Sequence, residues 1–372
     1  MKKKIVLSFL MLSFALLFTS PVWANSPSGN SQTDEKIEML EKKISLMPKL
    51  SGYLQTGWNY TSNDEKTTSS FQAKRLRLLM DGNVAPNISF RLQIEAFSGI
   101  SGTTNGRGQK SLQVMDAFAT WKINPQFQIR AGQFYTPMGF ENYDISPATL
   151  ETVDFSNIVY RIACRNPISY DFVEYGRDLG VMVIGHLLPS QEGFNYLSYD
   201  IALTNGALPM KDDNNTSKDL IGALTVRPIK HLMIKGAYNW GEYANDKGNF
   251  QAMDRYVLGA WYNNPLGLTL RSEFGQIKSS SATKIDETGA YVLLGWRADK
   301  WLPVVRWDMY KDAENETTSN NYNRILAGVT YHVTNNFKLQ ANYNHKMFTD
   351  KAKEALGYDS DNQVQIMALY KF

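Results

Sequence analysis

Apolar and polar residues alternate with a period of two along most of the chain after Leu50. In residues 89–96 (SFRLQIEA) and 337–345 (FKLQANYNH), every second side chain is apolar and the ones between are polar or charged. This period is typical of β-strands that have one apolar and one wet face. A soluble β-sandwich also alternates, but it does not usually combine large charged residues on the polar face with strand ends rich in Trp and Tyr. The pattern therefore favours a barrel over a sandwich.

Sixteen such segments are predicted, and their connections alternate in length. The even-numbered connections are short turns, such as Ala85-Pro86 and Asn264-Pro265, whereas the odd-numbered ones are longer and polar, such as residues 61–70 and 211–217. Outer-membrane barrels have short periplasmic turns and longer extracellular loops. The sequence therefore predicts an all-β fold, a transmembrane antiparallel β-barrel of about 16 strands. The predicted strands span residues 50–60, 70–82, 87–98, 112–122, 126–134, 177–188, 194–204, 218–227, 231–242, 251–262, 266–277, 287–297, 301–311, 321–333, 336–347 and 363–372.

The last strand supplies a second, independent indication of a barrel in lipid. In VQIMALYKF the outward positions are Val364, Ile366, Ala368, Tyr370 and Phe372, so the chain ends on an aromatic residue. Aromatic side chains prefer the membrane–water interface, and outer-membrane barrels carry girdles of them.

The N-terminus predicts export. Lys2, Lys3 and Lys4 precede the apolar run 5–18 and then Val22-Trp23-Ala24, which together indicate a signal peptide over residues 1–24. The alternative, a membrane anchor, needs a longer apolar run. Removing three lysines from the 39 basic residues leaves as many as the 36 acidic ones, so the formal charge of +3 belongs to the signal peptide. A balanced mature chain predicts no nucleic-acid partner.

A periplasmic N-terminal segment, residues 25–49, is expected before the barrel. Within it, residues 34–47 place apolar side chains at helical spacing, which predicts a short amphipathic helix. A helix this short is marginal alone, and a trimer or a partner groove would stabilise it. A frayed periplasmic tail is the alternative. The mean hydropathy of −0.35 and the absence of a later long apolar stretch argue against a helical membrane protein, and the single Cys164 excludes an intrachain disulfide.

One connection, residues 135–176, is far longer than the others within the predicted barrel domain, residues 50–372. A structureless connection of that length is usually functional. It contains apolar side chains such as Phe140 and Leu150, which a loop in solvent would not need. Since a barrel of about sixteen strands leaves a water-filled lumen, we expect this loop to fold inward and narrow the pore. An outer lid or a trimer contact is the alternative.

Alternation places several charged side chains on the inner wall. Arginines in a narrow lumen attract anions and bind phosphate or carboxylate through two hydrogen bonds at once. The candidate residues for such an anion ladder are Arg75, Arg77, Arg91 and Arg130. The alternative is that they pair with Asp81, Glu95 and Asp116 and only brace the wall.

The long loop carries its own charged candidates for the constriction, Glu141, Asp144, Arg161 and Arg165. Residues 135–176 hold two arginines against six acidic residues, so the loop is acidic. A strongly anion-selective constriction would not have this composition. At most a modest anion preference is therefore expected.

Five segments resemble the phosphate-selective porin O/P family. They are SGYLQTG at 51–57, RLRLLMDG at 75–82, AGQFYTPMGFE at 131–141, GRDLGVMVIG at 176–185 and ALTNG at 202–206. The resemblance extends from about residue 50 to the C-terminus. It implies a sixteen-stranded trimeric porin with a long third loop in the channel and an arginine column as anion ladder. Family members selective for phosphate add lysines at the constriction, and residues 135–176 contain none.

These observations predict an outer-membrane porin for passive diffusion of small hydrophilic solutes, including small anions. Its expected partners are outer-membrane lipid and two further copies of itself, and no cofactor, metal or catalytic residue is expected. The rival interpretation is a structural or adhesive barrel, or an enzyme at the rim, without an open pore. An enzyme of that kind needs a Ser/His/acid arrangement, and the four histidines stand in no recognisable motif.

Overall fold

The computed structural model describes residues 35–40, 47–97, 101–102, 109–110, 112–164, 176–207, 212–213, 215–244, 250–279 and 284–372. The predicted signal peptide and Arg165 lie outside these ranges. The chain divides into two units, Met1–Met47 and Pro48–Phe372. In the first unit, residues 35–40 of the predicted helix are helical and exposed, and residues 41–46 lie outside the described part.

Within the described residues of the second unit, sixteen antiparallel strands form one closed barrel in which each strand pairs with its neighbours in the chain. The strands are β1 (Lys49–Ser62), β2 (Thr67–Ala85), β3 (Ile88–Glu95), β4 (Gln113–Asn124), β5 (Phe127–Tyr135), β6 (Arg177–Pro189), β7 (Asn195–Thr204), β8 (Asp219–Ile229), β9 (Leu232–Ala244), β10 (Phe250–Asn263), β11 (Leu268–Ser279), β12 (Ile285–Trp296), β13 (Trp301–Asp312), β14 (Tyr322–His332), β15 (Phe337–Phe348) and β16 (Ser360–Lys371). The fold predicted from the alternation is confirmed.

The outermost parts of three loops differ from the prediction. Residues 61–70 were expected to be a loop, but β1 and β2 extend into them and leave only residues 63–66 as the connection. Thr61 and Thr68 face each other there as a cross-strand pair, and Thr favours strands. Two short strands, Ser101–Gly102 and Gln109–Lys110, pair in the loop after β3, and a helix, Asp350–Leu356, lies between β15 and β16.

The two faces of the wall have the expected chemistry. Outward residues are apolar and open to the surroundings, as at Ile201 and Leu203, which are 50% and 52% exposed. Inward residues on the same strands are polar or charged, as at Asp200 and Thr204, which are covered. Since hydrocarbon accepts apolar side chains and no unpaired backbone groups, a closed barrel with this outer face suits a bilayer.

The first and last strands close the barrel. β1 and β16 pair in an unbroken antiparallel register that includes Tyr53 with Lys371 and Trp58 with Ile366. Gly52 and Phe372 exchange both backbone hydrogen bonds, each 3.0 Å long. We call this pairing the β1–β16 seam. The C-terminal aromatic residue therefore completes the ladder.

Two short helical segments lie in the connection between β5 and β6. One is the helix Phe140–Tyr143, and the other is the π-helix Ile158–Ala163. No helix in the described part of the chain is long and apolar enough to cross a membrane.

Candidate functional site: the lumen and its long loop

The connection after β5, residues 136–164 in its described part, lies against the inner wall. Its apolar side chains are covered: Phe140, Leu150 and Ile158 are each 0% exposed. Ile158 belongs to a cluster that includes wall residues such as Val257 on β10 and Ile277 on β11. Burial of such side chains stabilises a fold by about 1.5–3 kcal/mol each. The apolar composition of the loop is explained by this packing.

The cations of the wall hold the backbone of the loop. Arg75 donates to the carbonyl oxygen of Val153 at 3.1 Å, Arg255 to that of Ile162 at 2.9 Å, and Lys338 to that of Leu150 at 2.8 Å. Arg306 donates to the carbonyl oxygens of Asp154 and Phe155, at 2.9 and 3.1 Å. A buried carbonyl needs a hydrogen-bond donor, and an irregular loop supplies few of its own. The wall provides them.

Arg271 on β11 joins the loop and the wall at one point, which we call the Arg271 cluster. It donates to Glu141 at 2.9 Å, to both oxygens of Glu151 at 3.0 and 2.8 Å, and to Tyr291 at 2.9 Å. Tyr291 in turn donates to Glu273 at 2.7 Å. The planar guanidinium suits several carboxylate oxygens at once. One wall residue therefore fixes the loop at two positions.

Glu273 also fixes the start of the helix Phe140–Tyr143. Its carboxylate accepts the backbone N–H of Phe140 at 2.5 Å and that of Glu141 at 3.3 Å. Gly139 precedes this helix with φ +86°, and a Cβ there would lie 2.4 Å from Glu273 Oε1. Only glycine combines this backbone angle with so close an approach.

Lys74 and Asp154 form a further contact between wall and loop, 2.6 Å apart. The register between β1 and β2 shifts at one point. Arg75 pairs with Gln55 and Ala73 pairs with Thr56, so Lys74 lies opposite no residue of β1. Such a bulge redirects a side chain that simple alternation would send outward. Burial acts to raise the pKa of Asp154, but Lys74 and Arg75 outweigh it and hold that pKa well below its ordinary value.

Two of the predicted ladder arginines are covered. Arg75 and Arg77 are each 1% exposed. Arg75 donates to Gln55 at 2.5 Å and to the loop, and Arg77 pairs with Glu95 at 2.9 Å. In this arrangement neither guanidinium meets solute. The bracing alternative describes Arg77, and Arg75 has the additional task of holding the loop.

The other two ladder candidates are partly accessible. Arg91 is 41% exposed in its side chain and pairs with Asp81 through two hydrogen bonds of 2.7 and 3.1 Å. Arg130 is half-buried, donates to Thr120 at 3.2 Å and lies 4.3 Å over the ring of Phe118. The anion ladder stays a prediction, and these two residues are its accessible members.

The predicted loop residues do not form one cluster. Glu141 belongs to the Arg271 cluster, whereas Asp144 pairs with Lys235 on β9. Arg161 donates to Asn320 at 2.6 Å and lies 5.6 Å from the ring centroid of Tyr310. Arg165 lies outside the described residues. In the described part of the loop, the acidic side chains therefore pair with wall cations.

The alternation read from the sequence did not mark four residues that hold the loop or the wall: Lys74, Arg177, Arg255 and Arg324. Arg255 could have been found, because it alternates in step with Met253 and Val257 on β10, and all three are buried. Arg177 is the first residue of β6, where alternation has only begun, and it pairs with Asp116 at 2.6 Å. Nothing in the sequence indicated an inward Lys74, because the bulge that redirects it arises only where β1 and β2 pair.

Two of the four histidines have side-chain polar contacts, and the described residues form no catalytic arrangement around them. His186 lies 3.0 Å from the hydroxyl of Ser198, and His345 lies 2.9 Å from the amide of Asn362. A nucleophilic triad adds an acidic group that orients the imidazole. In the described part of the chain, neither histidine has a carboxylate within ion-pair distance.

Comparison with known proteins supports the same architecture. Residues 52–171 match the family described as phosphate-selective porin O and P, which confirms the resemblance over that part of the chain. No curated protein sequence matches the chain.

Solved barrels resemble it over most of their length. OmpF of Salmonella typhi, in a complex with daunomycin, has a TM-score of 0.66 at 16% identity, covering 89% of this chain and 99% of that one. The anion-selective porin of Comamonas acidovorans has a TM-score of 0.64 at 14% identity, covering 87% and 99%. OmpT of Vibrio cholerae, an outer membrane protein in trimer form, has a TM-score of 0.53 at 12% identity, covering 88% and 99%. At these identities the likeness concerns the fold.

Proposed function

Since residues 52–171 match the phosphate-selective porin O and P family and the fold is that of porins, we propose that this chain is an outer-membrane porin. Small hydrophilic solutes diffuse passively through its water-filled lumen. The observation that carries the proposal is the division of the sixteen-stranded wall into an apolar outer face and a polar inner face. A barrel of this size has an aqueous interior.

The long loop, residues 135–176, narrows this lumen in the proposed channel. Wall residues on β2, β10, β11, β13 and β15 bond to its described part, so it is held across the barrel rather than above it. A loop fixed by many buried hydrogen bonds sets a constant pore dimension. This arrangement favours passive diffusion over a gated mechanism.

A modest anion preference follows from the accessible charges. Arg130 and Arg91, which pairs with Asp81, are the ladder candidates that a solute can reach, while the four acidic groups in the described part of the loop pair with wall cations. A fixed positive charge in a narrow pore raises the local anion concentration. Phosphate selectivity is not part of the proposal, since residues 135–176 contain no lysine.

The mature protein is proposed to begin after Ala24, to carry a periplasmic segment over residues 25–49, and to form a homotrimer in the outer membrane. OmpT of Vibrio cholerae, which shares the fold, has been solved in trimer form. An oligomer that migrates slowly on a native gel and dissociates on heating is expected. A monomer before heating, confirmed by light scattering, would contradict the trimer.

Planar bilayers and liposome swelling test the channel itself. The purified protein is expected to give stable single-channel steps in potassium chloride and to let small sugars enter liposomes. No conductance, with the barrel shown to be folded by circular dichroism, would instead favour a structural or adhesive barrel or a rim enzyme. No cofactor is expected to be needed for the channel.

A further inference from the structure

A cavity of about 410 Å³ lies at the outer end of the β1–β16 seam, away from the Arg271 cluster. It is lined from β1, β2, β14, β15 and β16, including Thr61, Thr68, Arg324, Asn344, Lys346 and Gln363. Small-molecule sites usually measure about 300–1,000 Å³. Because the cavity opens at the loop end of the strands, a solute meets it before the long loop.

Lys346 brings a positive charge to the cavity, and Asp361 stands opposite it in the pairing of β15 with β16. Its ammonium lies 4.4 Å from the ring centroid of Tyr322 and 4.7 Å from that of Phe348. Among the described residues, no carboxylate lies within ion-pair distance of it. Aromatic faces hold a cation without cancelling its charge. The ammonium hydrogens are therefore available to an anion.

Arg324 adds a second, partly uncompensated charge. One edge of its guanidinium approaches Asp308, with Nε at 3.2 Å and Nη2 at 3.0 Å. The same carboxylate also accepts from Arg306 at 2.8 Å, so two guanidinium groups share one negative charge. The Nη1 of Arg324 has no hydrogen-bond acceptor within the described part of the chain. A planar guanidinium with a free edge suits a carboxylate or phosphate.

The remaining lining is rich in neutral hydrogen-bonding groups. Asn344 donates to Gln363 at 3.2 Å, and the hydroxyls of Thr61 and Thr68 contact each other. One acid, Asp361, is present and accepts from Asn63 at 2.9 Å. Amides and hydroxyls both donate and accept, which matches the hydroxyl groups of a polyol. The cavity thus combines two cationic side chains, Arg324 and Lys346, with a mostly neutral polar lining.

We propose that this cavity binds anionic polyhydroxylated solutes, the chemical class of sugar acids and sugar phosphates. The anionic group meets Lys346 and Arg324, and the hydroxyls meet Asn344, Gln363 and the two threonines. This inference rests on the proposed porin function and adds a solute class to it. A site at the outer end raises the local concentration of such solutes before they reach the constriction.

Calorimetric titration of the detergent-solubilised full chain tests the site. Sodium gluconate, glucose 6-phosphate, glucose and sodium acetate are titrated separately at one ionic strength. Gluconate and glucose 6-phosphate are expected to bind at least about tenfold more tightly than glucose or acetate, because only they offer both kinds of group. Binding of gluconate no tighter than that of acetate would overturn the assignment of the hydroxyl contacts. Binding of glucose 6-phosphate but not of gluconate would remove sugar acids from the proposed class of solutes.

Two matched variants locate the binding. Lys346→Gln removes the charge and is expected to weaken gluconate binding about tenfold. Lys278→Gln makes the same change at an exposed lysine on β11, outside the cavity, and is expected to leave binding unchanged. Equal affinities of the two variants would place gluconate elsewhere and overturn the inference.

Calorimetry separates this inference from the porin proposal, since it does not depend on conduction. A protein that conducts but binds no gluconate keeps its porin function and loses this site. A protein that binds gluconate through Lys346 but never conducts retains the site and loses the pore.

Discussion

Arg271 Nη2 donates to Glu141 Oε1 at 2.9 Å, and both side chains are completely buried. The contact joins strand β11 to a loop residue 130 positions earlier in the chain. Two charges taken out of water are tolerated only when each has a close partner. Arg271 also holds Glu151, so the position of the loop depends strongly on one wall residue.

Arg271→Ala is expected to release the loop. The substitution leaves Glu141 and Glu151 without their main cation, and breaking a buried pair in this way costs about 3–5 kcal/mol. Single-channel recordings are expected to show larger or fluctuating conductance, and the midpoint of thermal unfolding is expected to fall. Arg297→Ala, in the exposed turn after β12, is the control. Unchanged conductance steps in Arg271→Ala would show that the loop is held without this residue.

Gly139→Ala is expected to displace the start of the helix Phe140–Tyr143. The new Cβ meets Glu273 Oε1 at 2.4 Å, and φ of +86° adds backbone strain of about 1–3 kcal/mol. Gly193 has a similar φ of +80° but nothing within 4 Å of a Cβ. Gly193→Ala therefore measures the strain alone, and thermal unfolding of both variants isolates the contact. Equal losses of stability would mean that the contact with Glu273 adds nothing.

Ion selectivity is expected to depend on Arg91 and Arg130. Changing both to Gln removes the accessible positive charge and should lower the anion-to-cation permeability ratio, measured as a reversal potential in a salt gradient. Arg77→Gln provides the contrast, since Arg77 is buried against Glu95. Its loss should lower stability and leave selectivity nearly unchanged. A selectivity change in Arg77→Gln but not in the double variant would reverse this assignment.

The loop is expected to loosen in acid. Burial acts to raise the pKa of Glu151, but Arg271 outweighs it and lowers that pKa, and the pKa of Asp154 is also lowered. Carboxyls with lowered pKa values stabilise the docked loop above their ordinary values of about 4, and this stabilisation is lost as pH falls through the docked-state values.

Conductance noise and protease access to the loop measure this effect. Both are expected to rise as the pH falls below about 4, where Glu151 and Asp154 become protonated. Asp154→Asn should reduce the rise, because one of the two titrating groups is gone. Noise that rises between pH 7 and 5 instead would assign the effect to other groups.

The barrel could be predicted because its cause is local. Each strand needs one face for lipid and one for water, and that need appears in the sequence as alternation around residues such as Leu339 and Gln340. The burial of Phe140 and Leu150 in the long loop was also predictable, since apolar side chains need cover from water. Both features depend on solvent preference and need no knowledge of specific partners.

The partners of the charged residues could not be predicted. Arg75 was placed correctly on the inner face, but its bond to the carbonyl of Val153 depends on how the loop folds. Lys74 reaches Asp154 only because the register shifts at one point of β2. Such contacts join distant positions, and the alternation of a single strand contains no information about them.

The β1–β16 seam has a consequence for folding order. Tyr53 pairs with Lys371, so the barrel closes only when almost the whole chain is present. Contacts between such distant residues carry the largest loop-closure entropy and form late. Until then, the free edges of β1 and β16 expose unpaired N–H and C=O groups that can pair with other chains. Once β1 and β16 have paired, up to the backbone hydrogen bonds between Gly52 and Phe372, these edges are no longer open to other chains.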